Sequence, residues 1–64
     1  MIKDDEILTI NDAASYLKVS RGTIYNLLKR NELQGFKVGG MTRFTGKELK
    51  EFIDRQQQTN SNDV

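Results

Sequence analysis

The stretch TINDAASYLKVSRGTIYNLLKR, residues 9–30, contains two helical patterns separated by about three residues. Four apolar residues follow the i, i+3, i+4, i+7 spacing of one helical face: Ile10, Ala13, Ala14 and Leu17. Thr9 before this face is suited to an N-cap, and Asp12 places a carboxylate in the first turn, where the helix dipole favours it. The pattern predicts a first helix that starts directly after Thr9.

The second pattern begins at Ser20, which is also a typical N-cap residue. Its apolar face predicts a helix over about residues 21–30 and consists of Ile24, Leu27 and Leu28. We expect Val19 to fill the space between the two helices. A connection of this length is typical of a helix-turn-helix, in which the second helix enters the major groove of DNA.

After residue 35 the apolar period changes to two, which predicts a β-hairpin. A two-residue loop at residues 39–40 would set Phe36 opposite Arg43 and turn Phe44 to the other face. A three-residue loop over 39–41 instead sets Phe36 opposite Phe44, so that both rings face the same way. It also sets Lys37 opposite Arg43 on the outer face. We predict the three-residue loop because it keeps the apolar pair together.

Thr45 and Glu48 have the spacing of a capping box and predict a third helix over about residues 46–55. The order helix, turn, helix, hairpin, helix predicts a mainly α fold with a small β-hairpin wing, a winged helix-turn-helix, over residues 7–55. An extended pair at residues 7–8 would add a short third strand. The polar ends predict a flexible N-terminus over 1–6 and a disordered polar tail over 56–64.

The composition excludes several classes of function. The chain has 64 residues with no Cys and no His, which removes zinc sites, thiol nucleophiles, serine-histidine triads and disulfides. A chain this short buries only about 60% of its unfolded surface and has little room for a catalytic cleft. We expect no enzyme, no catalytic residue, no metal and no cofactor. No apolar run approaches the roughly 18 residues of a membrane span, and the acidic start does not resemble a secretory signal, so we expect a cytoplasmic location and no membrane partner.

The formal net charge of +1 conceals a strong segregation. Residues 18–43 hold six Lys and Arg against one Glu, whereas residues 1–17 hold four acids against one Lys. The basic middle is the predicted turn, second helix and hairpin, which a winged helix presents to DNA. A solvated face, or a face for an acidic protein partner in an interaction adaptor, would account for the same charges. RNA is disfavoured because the outward side offers only Tyr25 for stacking bases.

The second helix has no acid in its first turn, which predicts an uncapped positive end suited to a phosphate. Chance across three helices is the alternative, and the hydroxyls of Ser20 and Thr23 also serve as local caps. Arg21 is expected to contact guanine and Asn26 adenine, since these side chains match the base edges. The candidate DNA-binding residues are Lys18, Ser20, Arg21, Gly22, Thr23, Tyr25, Asn26, Lys29, Arg30, Lys37, Gly39, Gly40 and Arg43.

Several short motifs in this order carry a resemblance to a known family: LTI at 8–10, AA at 13–14, LKVSR at 17–21, TIY at 23–25, VG at 38–39, RF at 43–44 and Leu49. The chain resembles the excisionase-type, MerR-like winged helix-turn-helix domains over about residues 7–53. The resemblance implies DNA contacts at Arg21, Thr23, Tyr25, Asn26, Lys37 and Arg43. It departs from the family pattern at Lys18, where glycine is frequent, and at Gly22, where a bulkier polar residue is common.

The resemblance implies double-stranded DNA as partner. Family members include excisionases, which bend DNA and direct a recombinase towards excision, and transcription regulators. The resemblance therefore implies two further partners, a recombinase or integrase and more copies of the chain on adjacent sites. The chain stops before any long dimerisation helix, which favours a standalone factor or a domain of a longer protein.

Overall fold

A computed structural model of the chain describes residues 2–62, and Met1 and the last two residues of the predicted tail lie outside the described residues. In chain order the elements are β1 (Ile7–Leu8), α1 (Ile10–Leu17), α2 (Arg21–Lys29), β2 (Phe36–Val38), β3 (Met41–Thr45) and α3 (Gly46–Asn62). The three strands form one antiparallel sheet in the order β1-β3-β2. This is the predicted winged helix-turn-helix, including the short third strand at residues 7–8.

Helix α1 begins as its sequence predicts. The Thr9 hydroxyl accepts from the Asp12 amide at 3.0 Å, and the Asp12 carboxylate accepts from the Thr9 amide at 3.2 Å. The helix ends at Lys18, whose backbone is left-handed with φ 59° and ψ 46°. The Val19 amide then donates to the Ala14 carbonyl at 3.0 Å. This turn leaves Val19 38% exposed, so the prediction that Val19 fills the space between the helices is wrong.

The hairpin has the register that we did not predict. Phe36 pairs with Arg43, Lys37 with Thr42 and Val38 with Met41, around a two-residue turn at Gly39 and Gly40. Both glycines have positive φ, 57° and 82°, which is the backbone that a two-residue hairpin turn requires to follow the twist of its strands.

The register prediction failed because it paired the two phenylalanine residues with each other on one face of the hairpin. Strand β3 is central, and Phe44 pairs with Leu8 of β1 on the core side, where it is fully buried. Phe36 lies on the other face and stays 40% exposed. Since side chains alternate along a strand, Lys37 and Arg43 also lie on opposite faces instead of side by side.

The core lies on one face of the sheet and draws on all three helices. Its buried apolar residues are Leu8, Ile10, Ala13, Ala14, Ile24, Leu27, Leu33, Phe44, Leu49 and Phe52. These residues include most of the predicted apolar positions of α1 and α2. The arrangement fixes α2 by its inner side and leaves its outer side to solvent. Among the described residues, no helix is both long enough and apolar enough to cross a bilayer.

The start of α3 is held by residues near the N-terminus, a contact that was not predicted from the sequence. The Gly46 amide donates to the Glu6 carbonyl at 2.9 Å and the Lys47 amide to the Asp4 carbonyl at 3.0 Å. The Lys3 carbonyl occupies the space that a side chain at position 46 would need. These hydrogen bonds satisfy amides that a helix N-terminus otherwise leaves without partners.

The predicted capping box of α3 forms only in part. The Thr45 hydroxyl accepts from the Glu48 amide at 3.1 Å, as expected. The Glu48 carboxylate instead accepts from the Gln34 amide at 2.9 Å and from the Arg55 guanidinium at 3.3 Å. It therefore ties α3 to the loop between α2 and β2.

Helix α3 also continues to Asn62, past the predicted end at Arg55 and into the part of the chain predicted to be a disordered tail. Gln is a good helix former, and no Gly or Pro follows Arg55 to end the helix. The division into a flexible 1–6, a domain over 7–55 and a polar tail over 56–64 stays a prediction.

Candidate nucleic-acid interface

The N-terminus of α2 carries a hydroxyl cap and no acid. The Ser20 hydroxyl accepts from the Thr23 amide at 3.2 Å and lies 3.0 Å from the Thr23 hydroxyl. The expectation of an uncapped end is therefore corrected for the Thr23 amide, because the Ser20 hydroxyl has the local capping role that was the alternative. Within the described part of the chain, the Thr23 hydroxyl contacts this cap and no backbone amide of the first turn. The first turn still has no carboxylate, so the dipole at this end keeps its attraction for an anion.

The outer side of α2 is polar and open. Ser20, Arg21, Gly22, Tyr25, Asn26, Lys29 and Arg30 are exposed, and Thr23 is half-buried. The Arg21 guanidinium donates to the Tyr25 hydroxyl at 3.4 Å, so the two side chains lie along the same helical face one turn apart. A side chain at position 22 would approach only the Ser20 hydroxyl, at 3.8 Å, which leaves the backbone of this turn accessible.

An open cleft of about 440 Å³ joins α2 to the hairpin. Arg21 and Tyr25 line it from α2, and Lys37 and Gly40 line it from the hairpin. Cations from both elements therefore border the same concave surface, which we call the cationic cleft. Concave surfaces with charge of one sign concentrate the field that attracts an oppositely charged ligand.

Other predicted residues lie away from the cationic cleft. Arg43 is on the opposite face of the sheet from Lys37, and its guanidinium donates to the Thr42 carbonyl at 2.9 Å. Arg30 forms an exposed ion pair with Glu32 at 2.9 Å beyond the end of α2. Lys18 is exposed in the turn before α2, and Gly39 shares the hairpin turn with Gly40.

Three polar residues of the cleft were not predicted to belong to the site. Thr9 and Asn11 line it at the start of α1, and Thr42 lines it from β3. Thr42 is the cross-strand partner of Lys37, so the two-residue register would have placed both side chains on the same face. Nothing in the spacing around Asn11 marks it as part of a site.

Comparison with protein families gives one match. A family model described as a helix-turn-helix domain matches residues 7–57, which is most of the chain. The chain belongs to the helix-turn-helix domain family. Comparisons with curated proteins and with solved structures gave no match. The matched range runs from β1 into α3 and so includes the cationic cleft and the whole of α2.

Membership of the helix-turn-helix family agrees with the resemblance drawn from the sequence motifs and supports DNA as the partner. In such a domain the second helix lies in the major groove while the first crosses the backbone. Here the second helix is α2, whose outer side is polar and exposed. Among the described residues, no group of three or more acidic side chains is placed to hold a metal ion.

Proposed function

We propose that the protein binds double-stranded DNA sequence-specifically, with α2 in the major groove and the hairpin wing on the backbone or minor groove. The observation that carries the proposal is the cationic cleft, where Arg21 of α2 and Lys37 of the hairpin border one concave surface. A duplex that contacts α2 along this surface would also meet the wing. A groove of B-DNA about 12 Å wide admits a helix of this kind.

Two residues of α2 are proposed to contact base edges. Arg21 matches the O6 and N7 acceptors of guanine, and Tyr25 holds its guanidinium along the helix face. Asn26, five residues further along α2 and also exposed, matches the N6 and N7 groups of adenine. Such a bidentate contact contributes about 1–3 kcal/mol to discrimination between bases.

The remaining candidates are proposed to contact the DNA backbone, where they fix the register of the domain without reading sequence. Gly22 and the first amides of α2 suit a close phosphate, beside the N-cap Ser20 and the Thr23 amide that it caps. The other proposed backbone contacts are Lys18, Lys29, Arg30, Lys37, Gly39 and Gly40. Arg43 lies on the far face of the sheet, away from the cationic cleft, and its predicted DNA contact stays a prediction.

A finer proposal follows from the family resemblance. The protein acts as an excisionase-type recombination directionality factor or as a small transcription regulator, in the cytoplasm and without enzymatic activity. Its further partners would be a recombinase or integrase and more copies of itself on adjacent sites. Support for this level comes from the sequence motifs at residues 8–49 and from the family match.

The proposal is tested by selecting bound sequences from random duplexes and measuring affinity for the selected site over a range of salt. Five cations near the interface predict that log K falls with log salt at a slope of about −4 to −5. Arg21→Ala is expected to lose about 1–3 kcal/mol of binding and the preference at one base pair. Lys47→Ala, which removes an exposed cation from α3, is the matched control and should bind as the parent does.

The competing function is an adaptor that presents the same cations to an acidic protein. An NMR titration with a random duplex separates the two functions. Shifts at Arg21, Asn26 and Lys37 support DNA binding. An affinity that does not depend on salt, or shifts confined to α3, would contradict DNA binding and favour the adaptor.

A further inference from the structure

The two cations of the hairpin wing, Lys37 and Arg43, lie on opposite faces of the sheet. Lys37 pairs with Thr42 and borders the cationic cleft, whereas Arg43 pairs with Phe36 on the other face. A wing laid flat along one DNA strand would bring only one of these faces to the phosphates. In that arrangement one of the two wing cations has no DNA contact.

Arg43 nevertheless extends along β3 towards the hairpin turn. Its guanidinium donates to the Thr42 carbonyl at 2.9 Å and lies 3.7 Å from the Met41 sulfur. Met41 follows the turn directly and lines the cationic cleft together with Gly40. The charge of Arg43 is therefore continuous, through Met41, with the surface that is proposed to meet DNA.

The end of the wing is narrow and apolar. The turn consists of Gly39 and Gly40, and among the described residues only their chain neighbours lie within 4 Å of where a side chain on either glycine would begin. Directly behind the turn, Val38 and Met41 pair with each other and are 53% and 59% exposed. We call these two residues the apolar pair. Methionine is among the apolar side chains that minor-groove proteins insert between base pairs.

We infer that the wing enters the minor groove with its turn first, so that Lys37 faces the phosphates of one strand, Arg43 faces those of the other and the apolar pair inserts at one base step. The inference rests on the proposed function and deepens it. The minor groove of B-DNA is about 6 Å wide, whereas a β-ribbon with side chains on both faces is about 10 Å thick. The groove must therefore open, and the apolar pair opens it by unstacking the step.

The base step that the wing occupies adds to the sequence preference of the protein. Pyrimidine–purine steps are the most easily kinked and unstacked, so insertion costs least at a step such as TA or CA. The wing therefore selects such a step beside the bases that α2 contacts, although it forms no base-specific hydrogen bond there. This selection is indirect readout, which acts through the deformability of the duplex.

The salt dependence of binding tests the contact with two strands. On the duplex selected from random sequences, Lys37→Ala and Arg43→Ala should each lower the magnitude of the slope of log K against log salt by about 0.9. The double variant should lower it by about 1.8. Lys47→Ala removes an exposed cation of α3 and should keep the slope of the parent. An Arg43→Ala slope equal to that of the parent overturns the inference.

The fluorescence of 2-aminopurine, which rises when this base unstacks, tests the apolar pair. The probe replaces each adenine of the selected duplex in turn, and the protein is added to saturation. The parent should raise the fluorescence several-fold at one step, and the double variant Val38→Ala with Met41→Ala should abolish the rise. Ile7→Ala is the matched control, because Ile7 is also 53% exposed and lies on the same sheet face but in β1, away from the turn.

A saturated duplex in which no step unstacks, or a rise that Ile7→Ala abolishes equally, overturns the inference. Circular dichroism confirms folding, and Val38→Thr with Met41→Thr replaces the alanine pair if that variant does not fold, since threonine favours strands. Failure of the inference is distinguishable from failure of the proposed function. Salt-dependent binding that Arg21→Ala weakens, without an unstacked step, contradicts insertion of the wing alone, whereas a protein that binds no duplex contradicts both.

Discussion

Replacement of Lys18 by glycine should stabilise the protein. Lys18 ends α1 with φ 59° and ψ 46°, a left-handed backbone that disfavours residues with a Cβ atom. Its amide and that of Val19 donate to carbonyls in the last turn of α1, so the chain is held in this conformation. The turn leads directly to Ser20, the N-cap of α2. The strain at Lys18 therefore lies in the connection that orients the helix proposed to enter the major groove.

The expected gain follows from two opposing terms. A left-handed residue with a side chain costs about 1–2 kcal/mol, and glycine removes this cost. Glycine also makes the unfolded chain more flexible, which reduces this gain in the free energy of unfolding by about 0.5–1 kcal/mol. The net gain in the free energy of unfolding is roughly 0.5–1 kcal/mol, or about 3–6 °C in Tm for a domain of this size.

Thermal and urea unfolding of Lys18→Gly and Lys18→Ala separate strain from charge. Lys18→Ala loses the ammonium group but keeps a Cβ, so it should be no more stable than the parent. Asn31→Gly is a second control, since Asn31 has φ 58° but asparagine tolerates this region better. Equal stability of Lys18→Gly and Lys18→Ala would show that the left-handed backbone at Lys18 carries no strain. If Lys18 also contacts a phosphate, both variants should lower the magnitude of the salt slope by about 0.9.

Three other substitutions test the geometry. Gly22→Ala should raise Tm, because alanine in a helix is favoured over glycine by up to about 1 kcal/mol and the space beside position 22 is open. The same change should weaken binding to a selected duplex. Unchanged affinity would show that no phosphate approaches the backbone at position 22. Gly46→Ala should lower the free energy of unfolding in urea by about 1–3 kcal/mol, since its methyl group would displace the Lys3 carbonyl; a neutral effect would mean that the N-terminal segment does not hold α3. Glu48→Ala should lower the free energy of unfolding by about 1–3 kcal/mol, because the Glu48 side chain is only 14% exposed and its loss leaves the Gln34 amide without this acceptor. The native-state hydrogen-exchange rate of the Gln34 amide should rise accordingly. Protection equal to that of the parent would contradict the role of Glu48 as its acceptor.

The helices could be predicted from the sequence because their signals are local. Thr9 and Ser20 act as the expected caps, and the apolar spacing identifies the buried sides of α1 and α2. The outer side of α2 follows directly from its inner side, so the exposed positions of Arg21 and Asn26 were predictable as well.

The hairpin register was not predictable from the two strands alone. Phe44 is buried because β1 pairs with the far side of β3, a contact between residues distant in sequence. The prediction matched Phe44 with Phe36, the aromatic residue of the preceding strand. The same error placed Arg43 beside Lys37, so the wing was the part of the candidate site that changed most. The contacts of Glu48 with Gln34 and Arg55 were missed for a related reason, since its spacing from Thr45 fits a capping box equally well.

The contact between residues 3–6 and the start of α3 has a consequence for how the chain folds during synthesis. Helices α1 and α2 are adjacent in sequence and can meet early, but Asp4 must wait for Lys47 and Lys50, its partners in α3. Closing a loop of more than forty residues carries an entropic cost that local helix pairing does not. We therefore expect the domain to complete its fold only after residue 50 has left the ribosomal exit tunnel. Until then, the nascent chain would hold a helix pair whose apolar side still lacks its cover from α3.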